Sequence, residues 1–206
     1  MLKIWGRLSS INVQKVVWCA AELGCDFERI DAGGDFGLVD SAAFDRLNPN
    51  RKVPVIEDDG FVLWESNAIV RYLCAKYPSA GLLPASLTAR ADCDRWMDWQ
   101  ATEFSPAMRD AFLHLIRTPA DRQETSLVEE SVRRTEPLLA VLDQALAARP
   151  YIGGDSFTMA DIPLACTVHR WLGLPIKRVP RPYVDKWYES VRNRTPAGEV
   201  LVSPLV

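Results

Sequence analysis

The chain is poor in the residues that bind metal or form staples. Its two histidines, His114 and His169, stand 55 positions apart, and its five cysteines (Cys19, Cys25, Cys74, Cys93 and Cys166) make no CxxC pair. Neither pattern has the close ligand spacing of a zinc site, so no metal is expected. Three of the cysteines lie among apolar neighbours in helix-like segments, where a thiol serves as a small core residue. An odd count with no secretion signal points to a reducing, cytoplasmic setting. Met1–Arg7 is too polar and too short to hold the apolar stretch of a signal peptide. No apolar run approaches the roughly 20 residues that cross a bilayer, so no membrane partner is expected. A net charge of −3 supplies no concentrated basic surface, which argues against nucleic acid. A single local arginine or lysine would still hold a carboxylate.

What is present is a globular composition: 206 residues, 48% apolar and 25% charged, enough for one large domain or two small ones. Leu2–Trp5 reads as a strand. Val13, Val16, Val17, Ala20 and Leu23 recur at helical spacing, with Gly24 as a stop, and Phe27–Asp31 alternates like a second strand. Strand, helix and strand in so short a space make a right-handed parallel βαβ unit. After a glycine-rich stretch (Gly33, Gly34, Gly37) comes a short helical piece near Ser41–Leu47. Val53–Ile56 and Phe61–Trp64 read as strands joined by Asp58-Asp59-Gly60, a hairpin signal. Proline within Val-Pro-Val removes a ladder donor and predicts an edge strand. Ile69, Tyr72 and Leu73 mark one face of the next helix, closed by Pro78.

Strand signals then stop. Residues 79–87 read as a linker, and helical segments follow over roughly 88–116, 121–148, 159–172 and 181–194. The expectation is an α/β thioredoxin-like domain over 1–78 and an all-helical domain over 88–206.

Three motifs carry more than architecture. The first is Asn48-Pro49-Asn50-Arg51-Lys52-Val53-Pro54-Val55-Ile56. The second, nine residues on, is Glu65-Ser66-Asn67-Ala68-Ile69. The third, far downstream, is Tyr151-Ile152-Gly153-Gly154-Asp155-Ser156-Phe157-Thr158-Met159-Ala160-Asp161. Together they resemble the cytosolic-type glutathione transferase family in its serine-type, theta/phi-like, bacterial-style form. The similarity runs in order along nearly the whole chain. It implies that family's fold, glutathione as co-substrate, a small apolar electrophile as second substrate, and a homodimer.

Each motif also has a physical reading. If the Val53-Pro54 bond is cis, as the resemblance implies, the Val53 backbone faces an extended tripeptide that can pair with it as an added strand. Ser66 is a good helix cap, and free N–H groups beside it suit an α-carboxylate, while Glu65 accepts the neighbouring ammonium. Plain capping would explain Ser66 without any ligand. Lys52, helped by Arg51, is a candidate for the tripeptide's glycine carboxylate. Thr158-Met159-Ala160-Asp161 fits a capping box with Asp in place of Glu, a structural role that leaves Asp161 outside the site.

Between the first strand and first helix, Leu8-Ser9-Ser10-Ile11-Asn12 offers hydroxyl and amide donors at a positive helix end, where they can stabilise a thiolate. No tyrosine precedes Tyr72 and no cysteine precedes Cys19, so neither residue type can activate a thiol here. The resemblance places Ser10 on the family's catalytic serine. Asn12, standing where many relatives have proline, and Ser9 compete for the sulfur contact. Leu8, Met108 and Phe112 are candidates for the electrophile pocket. On this reading the chain conjugates glutathione to an apolar electrophile, a detoxification chemistry. An isomerase, dehalogenase or peroxidase on the same site, or a non-catalytic glutathione-binding or regulatory protein, are its rivals.

Overall fold

A computed structural model describes residues 1–201 and Leu205; the last stretch of the expected helical domain, 202–204 and 206, lies outside the described residues. The chain forms two compact units, Met1–Leu83 and Pro84 onward.

The first unit is built on a four-stranded sheet in the order β2-β1-β3-β4: β1 Leu2–Trp5, β2 Phe27–Ile30, β3 Val55–Asp58 and β4 Phe61–Trp64. The β1–β2 pair is parallel and the other two are antiparallel. Because strand side chains alternate, the paired residues Ile4 and Ile56 share one face, and Trp5 and Val55 the other. The helices α1 (Ile11–Glu22) and α3 (Ser66–Lys76) pack together through buried Val16, Cys19, Val70 and Cys74. On the Trp5–Val55 face, Phe44 of the short helix α2 (Ala42–Leu47) closes a separate apolar cluster with Ala32 and Val55. Asp59 and Gly60 both take left-handed φ, 50° and 88°, which matches the twist of a two-residue hairpin.

One expectation is overturned. β3 begins at Val55, after the proline, and lies inside the sheet between β1 and β4 rather than at an edge. Pro54 escapes the ladder by standing just before it, so it removes no needed donor.

Asp58, buried at the end of β3, ties the hairpin to α3. Its Oδ2 accepts from Lys76 Nζ at 2.5 Å and from Tyr72 Oη at 2.7 Å. Burial alone would raise this carboxyl, but the two donors outweigh it and its pKa falls below the ordinary value. A folded pKa below the unfolded one means stability that is present above about pH 4 and lost as pH falls through the folded value. Asp58→Asn is expected to cost about 1–3 kcal/mol at neutral pH. In urea titrations the gap from wild type should close in acid; a gap independent of pH would refute the linkage.

The second unit is helical. A continuous helical run contains α4 (Leu87–Trp99), a π turn over Gln100–Phe104, α5 (Ser105–Phe112) and a second π turn over Leu113–Arg117. Pro106 cannot donate to the carbonyl four residues back, and the first wide turn sits where that bond is missing. Buried Gln100 fills the opening, donating to Ser105 Oγ at 2.6 Å and Thr167 Oγ1 at 2.8 Å. Then come α6 (Thr125–Ala147), α7 (Asp161–Leu172), α8 (Pro182–Arg192) and α9 (Thr195–Val200). Half of the expected capping box forms ahead of α7: the Asp161 carboxylate reaches back to accept the Thr158 backbone N–H at 2.8 Å. The other half is replaced, because the Thr158 hydroxyl donates to the same carboxylate (3.0 Å) instead of accepting from the helix.

Candidate functional site

The site residues of the first unit gather where β1, α1, α3 and the loop before β3 converge. Gly6 makes the convergence possible. A methyl group on it would stand 2.4 Å from Val13 Cγ2 and 3.1 Å from Val53 Cβ, so only glycine lets β1 end against both. Nothing in the periodic pattern marks this glycine.

Past Gly6 the chain turns, with Ser10 N donating to the Arg7 carbonyl at 3.1 Å, and enters α1. Ser10 is the N-cap by position, with extended backbone (φ −83°, ψ 120°), yet its side chain makes no capping bond. The hydroxyl is therefore left at the positive end of a twelve-residue helix whose first turn carries no acid. Ser9 is half-buried in the same turn. Asn12, exposed in the first turn of α1, is drawn elsewhere: its Oδ1 accepts from Ser66 Oγ at 3.4 Å.

That bond corrects the reading of Ser66. The N-cap of α3 is Glu65, and Ser66 is the first helical residue, its hydroxyl spent on Asn12 rather than on the helix. Two helix N-termini thus meet across one hydrogen bond, a concentration of free N–H groups suited to an anion. Glu65 holds φ 73° and ψ 107°, a left-handed backbone unusual for a residue with a side chain. Such strain costs on the order of 1–3 kcal/mol and collects at binding sites. Glu65→Gly is expected to raise stability by about 1 kcal/mol and, if Glu65 accepts the ammonium of the tripeptide that the sequence motifs imply, to weaken that ligand roughly tenfold or more. Thermal unfolding and calorimetry on one preparation would read both; a loss of stability, or unchanged affinity, would contradict this.

Val53-Pro54 is a cis peptide bond, with Pro54 buried and Val53 half-buried. The Val53 N–H and C=O enter no backbone pair among the described residues. The loop leading here is held by Asn48, only 3% exposed, which sequence reasoning passed over. Its Nδ2 donates to the Lys52 carbonyl at 2.8 Å and its Oδ1 accepts from Asn50 N at 3.0 Å. An asparagine before proline was a usable signal, since it can satisfy a turn from both ends of its amide. Lys52 itself is exposed. Arg51 is not available in the same way: Nε and Nη2 grip Asp45 at 2.7 and 2.9 Å, which raises the guanidinium's pKa. Of the two basic candidates, the structure keeps Lys52 open and commits Arg51 to a surface ion pair.

Leu8 is half-buried on the loop before α1. In the second unit, Met108 and Phe112 share one face of α5 and are 2% and 3% exposed. Phe112 is capped by the guanidinium of Arg170, 3.9 Å from the ring centre. Both side chains are spent on packing and present little free surface.

The family model described as "Glutathione S-transferase, N-terminal domain" matches residues 1–75, and "Glutathione S-transferase, C-terminal domain" matches 125–190. Glutathione S-transferase GstB of Escherichia coli strain K12 is 36% identical over 207 residues, covering 100% of each chain. Glutathione S-transferase 3 of Zea mays is 31% identical over 99% of this chain and 94% of its own. Among solved structures, the theta-class glutathione S-transferase of Xanthomonas axonopodis pv. citri, with glutathione bound, superposes at a TM-score of 0.96. It is 41% identical and covers 100% of this chain and 99% of its own.

Proposed function

The chain belongs to the glutathione S-transferase family, and on that premise we propose that it joins the thiolate of glutathione, held at Ser10, to an electrophilic carbon. The thiol proton passes to water. The sulfur electron pair forms the new C–S bond, and the leaving group departs with the pair of the bond it breaks. The protein needs no general base for this, because donors that favour the thiolate lower the thiol's pKa directly.

The observation that carries the reading is the Ser10 hydroxyl, positioned as a helix cap and unused as one. Around it each part of glutathione has a matching group. Val53 supplies a backbone N–H and C=O for the cysteinyl residue. The α3 N-terminus and Glu65 face the glutamyl carboxylate and ammonium. Lys52 takes the glycine carboxylate. Leu8, on the loop that carries Ser10, gives the electrophile an apolar wall in the first unit. A homodimer in the cytoplasm, acting in detoxification, fits the family's habit. Among the described residues no helix is long and apolar enough to cross a membrane.

The test is calorimetry with glutathione followed by turnover of 1-chloro-2,4-dinitrobenzene and, in parallel, of an organic hydroperoxide. Binding with aromatic conjugation is expected. Turnover of the hydroperoxide alone would overturn conjugation as the reaction, and absent glutathione binding would overturn the site.

A further inference from the structure

Arg7 stands in the loop between β1 and α1, three residues before Ser10, and has no part in the glutathione contacts above. It is half-buried. Its guanidinium lies over Gly33-Gly34 in the loop after β2. A methyl group on Gly34 would meet Arg7 Cζ and Nε at 3.0 Å each. One on Gly33 would stand 2.8 Å from Nη1 and 3.5 Å from Val53 Cγ2. The glycines leave a seat that any side chain would fill, and it lies beside Val53.

The Arg29–Asp31 pair of β2 and its following loop is closed on itself, and Arg29 Nη1 also donates to the Gly6 carbonyl at 3.1 Å. Asp35, next to Gly34, is exposed and makes no ion pair with Arg7 among the described residues. Among the described residues, Arg7's guanidinium reaches no carboxylate within ion-pair distance and no hydrogen-bond acceptor. A half-buried guanidinium without a partner keeps its planar fork of N–H donors open, and a fork of that kind matches a carboxylate.

Resting on the transferase reading, we infer that Arg7 is a specificity residue whose partner is an anionic group on the electrophile. The preferred second substrate then has two ends, an electrophilic carbon that reaches the sulfur and a carboxylate that reaches Arg7. This narrows the apolar electrophile expected from the sequence to one with a charged end. Glutathione's own carboxylates are left to Lys52 and the α3 N-terminus.

Two substrates that differ only at that end make the test: 4-chloro-3,5-dinitrobenzoate and its carboxamide. The wild-type protein should favour the benzoate in kcat/KM. Arg7→Gln should lower kcat/KM for the benzoate roughly 10- to 100-fold, as expected for one lost charge-assisted contact. The carboxamide rate and the KM for glutathione should stay as they were, which also controls for folding. Arg7→Lys, a point charge without the fork, should restore part of the preference. Equal losses on both substrates, or a rise confined to the KM for glutathione, would overturn the assignment while leaving conjugation in place. A wild-type protein that conjugates 1-chloro-2,4-dinitrobenzene but shows no preference for the benzoate over the carboxamide would overturn this inference alone, whereas one that conjugates none of the three would overturn the transferase reading as well.

Discussion

Asp161→Ala is expected to lower the unfolding free energy of the helical unit by about 3–5 kcal/mol, more than any other substitution proposed for this protein. The carboxyl is fully buried and every one of its bonds is accepted from a donor. Oδ1 takes Ile152 N–H and the Trp187 indole N–H, each at 2.9 Å; Oδ2 takes Thr158 N–H at 2.8 Å and its hydroxyl at 3.0 Å. Burial pushes the Asp161 pKa up, and the four donors pull against it. Alanine leaves those donors in the interior with nothing to bond, at roughly 1–3 kcal/mol for each that water cannot reach. Asp161→Asn keeps the shape but turns an NH2 towards two donors, so it should recover little. Urea unfolding followed by tryptophan fluorescence is the measurement. A change below about 1 kcal/mol would mean that water replaces the carboxylate and satisfies the donors.

The second large effect is on catalysis. On the proposed reading, in which Val53, Glu65 and Lys52 hold glutathione and Ser10 donates to its sulfur, Ser10→Ala should leave glutathione bound while removing that donor. A free thiol titrates near 8.5, and one hydrogen bond to the anion, about 1.5–3 kcal/mol, lowers that by roughly one to two units. At neutral pH the variant should lose about 10- to 100-fold in kcat/KM. Its pH–rate profile should move to higher pH, with the thiolate absorbance of bound glutathione appearing later in a titration. Asn12→Ala provides the contrast. Asn12's amide oxygen is engaged with Ser66, so its loss should appear in glutathione affinity more than in the position of the pH profile. The reverse pattern would move the sulfur contact from Ser10 to Asn12.

Sequence periodicity and turn chemistry located most elements of both units. Val13, Val16 and Ala20 are buried as their helical spacing implies, and Asp59-Gly60 makes its hairpin from two left-handed residues. These features are local. A helix face or a hairpin turn is written in residues a few positions apart, and the backbone responds to them whatever surrounds it. The motif around Val53-Pro54 and Glu65-Ser66 was legible for a related reason, because cradling a tripeptide needs particular backbone conformations in a particular order.

Side-chain partnership was not legible, because each choice is made by residues distant along the chain. Arg51 and Lys52 are equivalent on paper until Asp45, six residues before Arg51, takes the first. Ser66 reads as a cap until Asn12, 54 positions away, takes its hydroxyl and the strained Glu65 becomes the cap instead. The strand after Pro54 reads as an edge until pairing on both sides with β1 and β4 places it in the interior.

By itself, then, the sequence determined the order of elements, the glutathione motif and the exclusion of tyrosine and cysteine as thiol-activating groups. Only the tertiary structure decided which polar groups remain uncommitted. Ser10's hydroxyl makes no capping bond, and Arg7's guanidinium, seated over Gly33-Gly34, makes no ion pair among the described residues. A free donor is a property of three-dimensional surroundings, and no spacing of residue types can encode it.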